Sequence, residues 1–133
     1  MERLTGSFKV MNWEERPYDD ATGMPMLAHA TVTHELTGDI DGEASITYLL
    51  AYDSNAGTGA SYVGLARITG RIGDRHGTFV ARDIGRFADG IAKSCWTILP
   101  GLATGSLCGL RGEGHFAATD SGASYSFDYE LDE

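Results

Sequence analysis

The chain has 133 residues, of which 42% are hydrophobic and 22% charged, and its formal net charge is −9 at pH 7. This length and composition predict one globular domain spanning residues 1–133 that buries its own core without needing disulfides or metal. The negative charge argues against binding to nucleic acid or to an anionic membrane surface, since both require a basic surface. Eighteen glycines and only three prolines favour tight turns and close backbone contacts over long helices.

The segments that direct a chain to a membrane or out of the cell are missing from the sequence. The N-terminal stretch MERLTGSFKV has no apolar core of a signal peptide, and no apolar run is long enough to span a bilayer as a helix. The two cysteines, Cys95 and Cys108, are too few for a secreted disulfide framework, and we interpret them as reduced structural thiols. We therefore expect a cytoplasmic protein with no membrane partner.

Eight segments show, in chain order, the alternation or the β-branched and aromatic content that is typical of strands. They are TGSFKVMNW (5–13), MLAHATVTHELTG (26–38), ASITYLLAY (44–52), SYVGLARITG (61–70), GTFVARDIGRF (77–87), GIAKSCWTIL (90–99), LRGEGHFAAT (110–119) and ASYSFDYEL (123–131). Turns rich in glycine and aspartate separate them at the spacing of a β-barrel or sandwich. The polar segment 14–25, EERPYDDATGMP, is predicted to be a long loop. The alternation predicts that these residues point inward: Phe8, Val10, Val32, Tyr48, Phe79, Trp96 and Phe127.

The stretch GLRGEGHF (109–116) has the glycine spacing of a phosphate-binding loop. Such a loop needs a helix N-terminus after it, because the helix supplies the dipole and the free N–H groups. Here a strand, a turn and another strand follow. Gly112 and Gly114 fall on one face of a strand, where they let the barrel bend or a bulky neighbour such as Trp96 pack against the backbone. We therefore predict no nucleotide cofactor.

Several of these segments together resemble a known family. The stretches SFKVMNWEERPYDD, ITYLLAY, SYVGLARITG, DGIAKSCWTILPG and LCGLRGEGHF are similar to an uncharacterised bacterial family of domains of unknown function with an allene oxide cyclase-like barrel. The resemblance covers nearly the whole chain in order, and it implies an all-β, eight-stranded antiparallel barrel that assembles into oligomers. The wider group, which contains allene oxide cyclases and dirigent proteins, implies a barrel interior that shapes reactive small molecules without a cofactor.

Two ionisable residues interrupt apolar strand faces. His34 shares a face with Ala30, Val32 and Leu36, and Asp83 shares one with apolar residues of its own strand. A buried ionisable group must be paired, hydrogen-bonded or shifted in pKa. We predict that His34 and Asp83 are a catalytic acid/base pair, with Tyr48 or Tyr62 stabilising an oxyanion. The alternative is that each makes a structural hydrogen bond to the backbone, and a strand phase shifted by one residue would turn either outward.

A second set of residues is predicted to bind the substrate. The members are mostly aromatic and either line a pocket or simply fill the barrel. They are Phe79, Trp96, Tyr52, Tyr125, Phe127, Tyr129 and Glu113. Glu113 belongs to a charged stripe that is either solvated, at a subunit contact or part of the site. The four histidines lie on separate segments without metal-ligand spacing, so no metal site is predicted.

Two functions of different classes fit these features. The first is a cofactor-independent isomerase, cyclase or lyase that acts on a small, largely apolar metabolite in the barrel. The second is a non-catalytic carrier for an apolar ligand, and a weaker third is a structural oligomer with a filled barrel. Because Val63, Leu65, Val80 and Ile84 form the opposite, apolar face of two strands, we also expect a homo-oligomer.

Overall fold

The computed structural model describes residues 2–19, 23–53, 59–119 and 121–131. All regular structure in this part of the chain is β. The strands are β1 (Glu2–Asp19), β2 (Leu27–Gly38), β3 (Ile40–Tyr52), β4 (Gly59–Ile72), β5 (Arg75–Ala88), β6 (Ile91–Ile98), β7 (Thr104–Gly105), β8 (Leu110–Thr119) and β9 (Gly122–Leu131). No helix here is long and apolar enough to cross a membrane.

Eight of these strands close into one antiparallel barrel. Their order around the barrel is β4-β3-β2-β1-β9-β8-β6-β5, and β5 pairs with β4 to complete the ring. The short β7 pairs only with the first residues of β5. Closure pairs every one of these eight strands on both sides over at least part of its length, which limits the exposed edge through which a small all-β protein can pair with other chains. The prediction of an all-β, eight-stranded antiparallel barrel is confirmed.

The eight predicted strands all exist, with ends displaced by a few residues. Six of the eight neighbouring pairs join strands that are consecutive in the chain, and β5 is joined to β6 through Asp89 and Gly90, both with positive φ. Two consecutive residues with positive φ form the type I′ turn, whose twist matches that of a hairpin. The stretch 110–119 is a regular strand followed by the hairpin to β9, as predicted, and its two glycines sit where the backbones of β9 leave no space for a side chain.

The loop predicted for residues 14–25 is wrong over its first half, because β1 continues to Asp19. Pairing with β9 stops at Ser7, so beyond that residue β1 is paired with β2 alone. An edge strand tolerates a proline, which explains how Pro17 is accommodated. Residues 20–22 of that predicted loop lie outside the described residues, as do residues 54–58 of the predicted β3–β4 turn.

Inward-facing side chains of all eight strands form one core. Of the seven residues predicted to point inward, six are buried, and Val10 also faces the barrel interior but is 50% exposed because it lies at the open end. One end of the barrel is packed with leucine and isoleucine, including Leu107 and Leu110 from the β7–β8 connection. The other end, where β1, β3, β5 and β8 finish, is open and forms the mouth of the barrel.

Candidate functional site

A cavity of about 380 Å³ opens at the mouth of the barrel. It has the size of a small ligand pocket, since such sites usually measure about 300–1,000 Å³. Aromatic rings from five strands make up much of its wall, namely Phe8, Trp13, Tyr48, Tyr52, Tyr62, Phe87 and Phe116. His34 also lines the wall, and none of the described residues that line it is a lysine, an arginine or a carboxylate. We refer to this space as the mouth cavity.

A β-bulge brings Trp13 into the wall of the mouth cavity. Val10 pairs with His34 and Trp13 pairs with Val32, so Met11 is an extra residue on β1 with no partner on β2. One extra residue reverses the alternation of a strand. Val10 and Trp13 consequently face the same side, although they are an odd number of residues apart. The ring of Trp13 lies 6.1 Å from that of Tyr48, nearly parallel to it.

A hydrogen bond connects the mouth cavity to a buried carboxyl group beneath it. Tyr48 lines the cavity, and its hydroxyl donates to Oδ2 of Asp83 at 2.6 Å. The two residues lie on β3 and β5, on either side of Gly64 in the intervening strand β4. The ring of Tyr48 crosses that glycine so closely that a Cβ there would lie 2.7 Å from its Cδ1. Because Gly64 has no side chain, Tyr48 on β3 can reach across β4 to Asp83 on β5.

The same arrangement recurs one strand further around the barrel. Tyr62 on β4 pairs with Gly85 on β5, which pairs with Ser94 on β6. The Tyr62 hydroxyl lies 2.5 Å from Oγ of Ser94, and either oxygen can be the donor. A Cβ on Gly85 would come within 2.7 Å of the hydroxyl of Tyr62. Tyr48 and Tyr62 contact each other edge to face at 5.1 Å, so the two tyrosines, Ser94 and Asp83 form one buried cluster.

Burial dominates the acid/base behaviour of this cluster. Asp83 is completely buried, and desolvation raises its pKa, while the hydrogen bond from Tyr48 and the nearby Ser94 and Trp96 lower it by less. Its Oδ1 and the Trp96 Nε1 make no hydrogen bond of normal geometry with the described residues. Burial and the adjacent carboxylate raise the pKa of Tyr48, and burial raises the pKa of Tyr62 to about 12. A carboxylate in this position is a stronger base than one in water.

His34 is held by aromatic rings. It stacks on Phe8 at 4.5 Å and meets the edge of Phe116 at 6.3 Å. Its side chain is 3% exposed, and its Nδ1 has no hydrogen-bond partner among the described residues. Burial lowers the pKa of His34 to about 4, so its imidazole is neutral at pH 7. A neutral imidazole can donate one hydrogen bond and accept another.

The structure does not join the two residues predicted to act as a pair. His34 and Asp83 both point into the barrel, but neither a hydrogen bond nor an ion pair connects them in the described part of the chain. Asp83 does not line the mouth cavity and reaches it only through the hydroxyl of Tyr48. Tyr48, one of the two tyrosines predicted to stabilise an oxyanion, is therefore the residue that bonds directly to Asp83.

The six aromatic residues predicted to bind substrate fall into three places. Tyr52 lines the mouth cavity, whereas Tyr125 and Tyr129 belong to the opposite half of the barrel. There Tyr125 accepts a hydrogen bond from the backbone N–H of Ile40 at 2.9 Å and donates to the carbonyl of Thr37. Phe79, Trp96 and Phe127 fill the core and do not line the mouth cavity.

Glu113 lies on the outer face of β8 and is exposed to solvent. It alternates with the inward-facing Gly112 and Gly114, which explains its outward orientation. The mouth cavity lies inside the barrel, so Glu113 is not among the residues that line it.

Residues of the site that sequence reasoning missed include Trp13, Glu15, Phe87, Ser94 and Phe116. A bulge reverses the alternation before Trp13, and nothing in an isolated strand marks such a bulge. Glu15 accepts hydrogen bonds from Trp13 Nε1 at 2.9 Å and from the hydroxyl of Tyr52, which joins two of the lining rings at the rim. The usable signal for the buried cluster was a tyrosine and a glycine at facing positions of neighbouring strands, which only the register reveals.

A second, wider depression of about 990 Å³ covers the packed end of the barrel. Its wall carries charged residues of both signs, among them Arg3, whose guanidinium pairs with Asp128 at 2.9 Å. Within the described residues, no three histidine, cysteine or acidic side chains are grouped to hold a metal ion. The mouth cavity is accordingly the stronger candidate, because it combines an apolar wall with a few converging polar groups.

These features define an eight-stranded antiparallel barrel with an aromatic cavity at one mouth and a buried tyrosine–carboxyl pair beneath it. The chain belongs to the family DUF3224, described as a protein of unknown function, which matches residues 4–129. It is similar to a crystal structure of a DUF3224 protein of unknown function from Shewanella oneidensis, with a TM-score of 0.81 and 21% identity over 100% of this chain and 99% of that one. At that identity the likeness shows the fold alone. No curated protein matches the chain.

Proposed function

We propose that the protein is a cofactor-independent isomerase, cyclase or lyase that acts on a small, largely apolar molecule in the mouth cavity. The observation that carries the proposal is the 2.6 Å hydrogen bond from Tyr48, which lines the cavity, to Asp83, which lies beneath it. A polar pair of this kind is costly in a barrel core unless it has a purpose, and shifted pKa values cluster at functional sites.

The proposed chemistry is proton transfer through Tyr48. A ligand that presents an acidic C–H or O–H group to the Tyr48 oxygen gives up its proton as the tyrosine passes its own to Asp83. Return of a proton to another atom of the ligand completes an isomerisation with no net change in protons or electrons. The raised pKa of Asp83 favours the first step, and neutral His34 can donate a hydrogen bond to the ligand oxygen that gains charge.

Deuterium exchange tests this proposal without knowledge of the product. The protein is incubated in D₂O with small cyclic ketones and enones, and uptake of deuterium at carbon is followed by NMR. Removal of a positioned acid/base group usually costs about 10²–10⁴-fold in rate. We expect Tyr48→Phe and Asp83→Asn to lose exchange to that extent while ligand binding is retained. Tyr52→Phe is the matched control, since it lines the same cavity but is bonded to Glu15 instead. Unchanged exchange in both Tyr48→Phe and Asp83→Asn contradicts the proposal.

The second candidate is a carrier for an apolar small molecule. The aromatic wall of the mouth cavity and the absence of contact between His34 and Asp83 favour it. A carrier predicts a ligand that copurifies with the protein and is seen by native mass spectrometry, together with no deuterium exchange above that of free ligand. We also propose the relationship to allene oxide cyclase-like barrels, which the closed eight-stranded ring and its cavity at one mouth support.

We further propose that the barrel forms a homo-oligomer through its outer face. Leu49, Val63 and Ile84 occupy directly facing positions on three neighbouring strands, and all are nearly half exposed. Leu65, on the same face of β4, is also exposed. Contiguous apolar surface of this kind is typical of protein contacts, so a second copy of this chain is the expected occupant.

A further inference from the structure

We infer that the ligand of the mouth cavity is an organic cation, an ammonium group carried on a small apolar body, and that carboxylates are excluded. This inference rests on the proposed binding function of the same cavity and specifies the class of molecule that it takes.

The composition of the cavity wall favours a cation over an anion. The lining residues that the structure describes include seven aromatic rings and no lysine or arginine, and the one histidine among them is buried among apolar rings. A carboxylate would leave water without meeting any positive group, which is very unfavourable. An ammonium group, by contrast, is attracted to the faces of tryptophan and tyrosine, most strongly where water is excluded.

Two carboxyl groups lie just outside the wall of the mouth cavity. Asp83 lies behind Tyr48 at the inner end of the cavity, bonded to its hydroxyl at 2.6 Å. Glu15 lies at the rim, where it accepts hydrogen bonds from Trp13 and Tyr52. Each carboxyl group is thus bonded to rings that form the wall, and its acceptor oxygens place negative partial charge close to the cavity.

The whole molecule carries a net negative charge. The chain carries 19 acidic residues against 10 basic ones. Of the basic side chains near the mouth, Arg86 is paired with Asp53 at 2.6 Å on the outside of the barrel. A cation therefore approaches the mouth along an attractive field, whereas an anion is repelled.

A matched set of three probes tests the inference. Benzyltrimethylammonium, neopentylbenzene and 2,2-dimethyl-3-phenylpropanoate share one shape and differ in charge at one end. Binding is followed by tryptophan fluorescence, since Trp13 lies in the wall, and by ligand-observed NMR. We expect the ammonium to bind more tightly than the neutral probe and at least about tenfold more tightly than the carboxylate, the ratio that one desolvated cation–π contact provides.

Glu15→Gln supplies the internal control. Its remaining oxygen can still accept from Trp13, and its NH₂ group can donate to the Tyr52 hydroxyl, but the charge is gone. The variant should therefore weaken the ammonium by about threefold or more at low salt and leave the neutral probe unchanged. Glu35→Gln removes the same charge from the outer face of β2, near the packed end, and should change neither.

The outcomes separate the inference from the function on which it rests. If the neutral probe binds and the carboxylate equals or exceeds the ammonium, the ligand class is wrong while the binding function stands. The class is also wrong if the ammonium is weaker than the neutral probe. If none of the three probes binds, the proposed function of the cavity fails together with the inference.

Discussion

Tyr48→Phe is the sharpest test of the buried cluster, because it removes one oxygen and leaves the ring in place. The hydroxyl is the one group in the described chain that makes a hydrogen bond of normal geometry to Asp83, whose other oxygen has no such partner. The variant therefore removes from a completely buried carboxyl group its one hydrogen bond of normal geometry. Hydrogen bonds to charged groups contribute about 1.5–3 kcal/mol, and we expect a loss of unfolding free energy of that order. At about 2.1 cal/mol/K per residue, the unfolding entropy of the 133-residue chain is roughly 0.28 kcal/mol/K, so Tm should fall by about 5–11 °C.

The pH dependence of the destabilisation by Tyr48→Phe tests whether the Asp83 carboxyl group causes it. Burial raises the pKa of Asp83 above its ordinary value of 3.8, and the Tyr48 hydrogen bond opposes that shift. Because the folded pKa is raised, ionisation of Asp83 costs stability at neutral pH, and that cost disappears below the unfolded pKa of 3.8. Loss of the Tyr48 hydroxyl increases this cost in stability, because its hydrogen bond no longer opposes the effect of burial on the Asp83 pKa. The destabilisation by Tyr48→Phe should therefore be largest near pH 7 and shrink to about 1 kcal/mol, the contribution of a neutral hydrogen bond, as the pH falls below 3.8.

Urea unfolding of four proteins completes the test, namely the parent, Tyr48→Phe, Asp83→Leu and the double variant. Removing the buried carboxyl in Asp83→Leu should leave stability unchanged or increase it, since replacing buried charges by apolar side chains often does so. In that background Tyr48→Phe should cost little. An equal cost of Tyr48→Phe in both backgrounds, or a cost that does not vary with pH, would refute the coupling between the two residues.

Three further predictions address other parts of the molecule. Burial lowers the pKa of His34 from 6.5 to about 4, so between these values the unfolded chain binds a proton that the folded chain does not. The free energy of unfolding should therefore fall by up to about 3 kcal/mol as the pH drops through this window. In urea titrations at several pH values, His34→Gln should abolish that part of the fall. Gly64→Ala places a Cβ 2.7 Å from the ring of Tyr48, so we expect it to lower Tm and to reproduce the loss of deuterium exchange of Tyr48→Phe; wild-type Tm and exchange would contradict the role of this glycine. Sedimentation should show a species larger than the 14.2 kDa chain that Ile84→Lys shifts toward monomer, whereas a parent protein that is monomeric at micromolar concentration ends the oligomer proposal.

The sequence by itself determined the class of fold and the strands. Alternation with period two is a local property, so segments such as 110–119 and 123–131 were recognised almost to their ends. The inward direction of His34 and Asp83 followed from the same alternation, and both are buried. Where β1 is concerned, the polar, proline-containing sequence 14–19 resembles a loop, and only pairing with β2 holds it as a strand.

Only the tertiary structure decided which residues share the site. Alternation tells which side chains point inward but not how far along the barrel each one lies, and that height separates His34 in the cavity wall from Asp83 beneath it. Height is fixed by the register of strands far apart in the chain. The register aligns Tyr48, Gly64 and Asp83 in one row, and the bulge at Met11 turns Trp13 inward. Register depends on closure of the whole ring, since each strand is positioned by both of its neighbours, and no single segment contains that information.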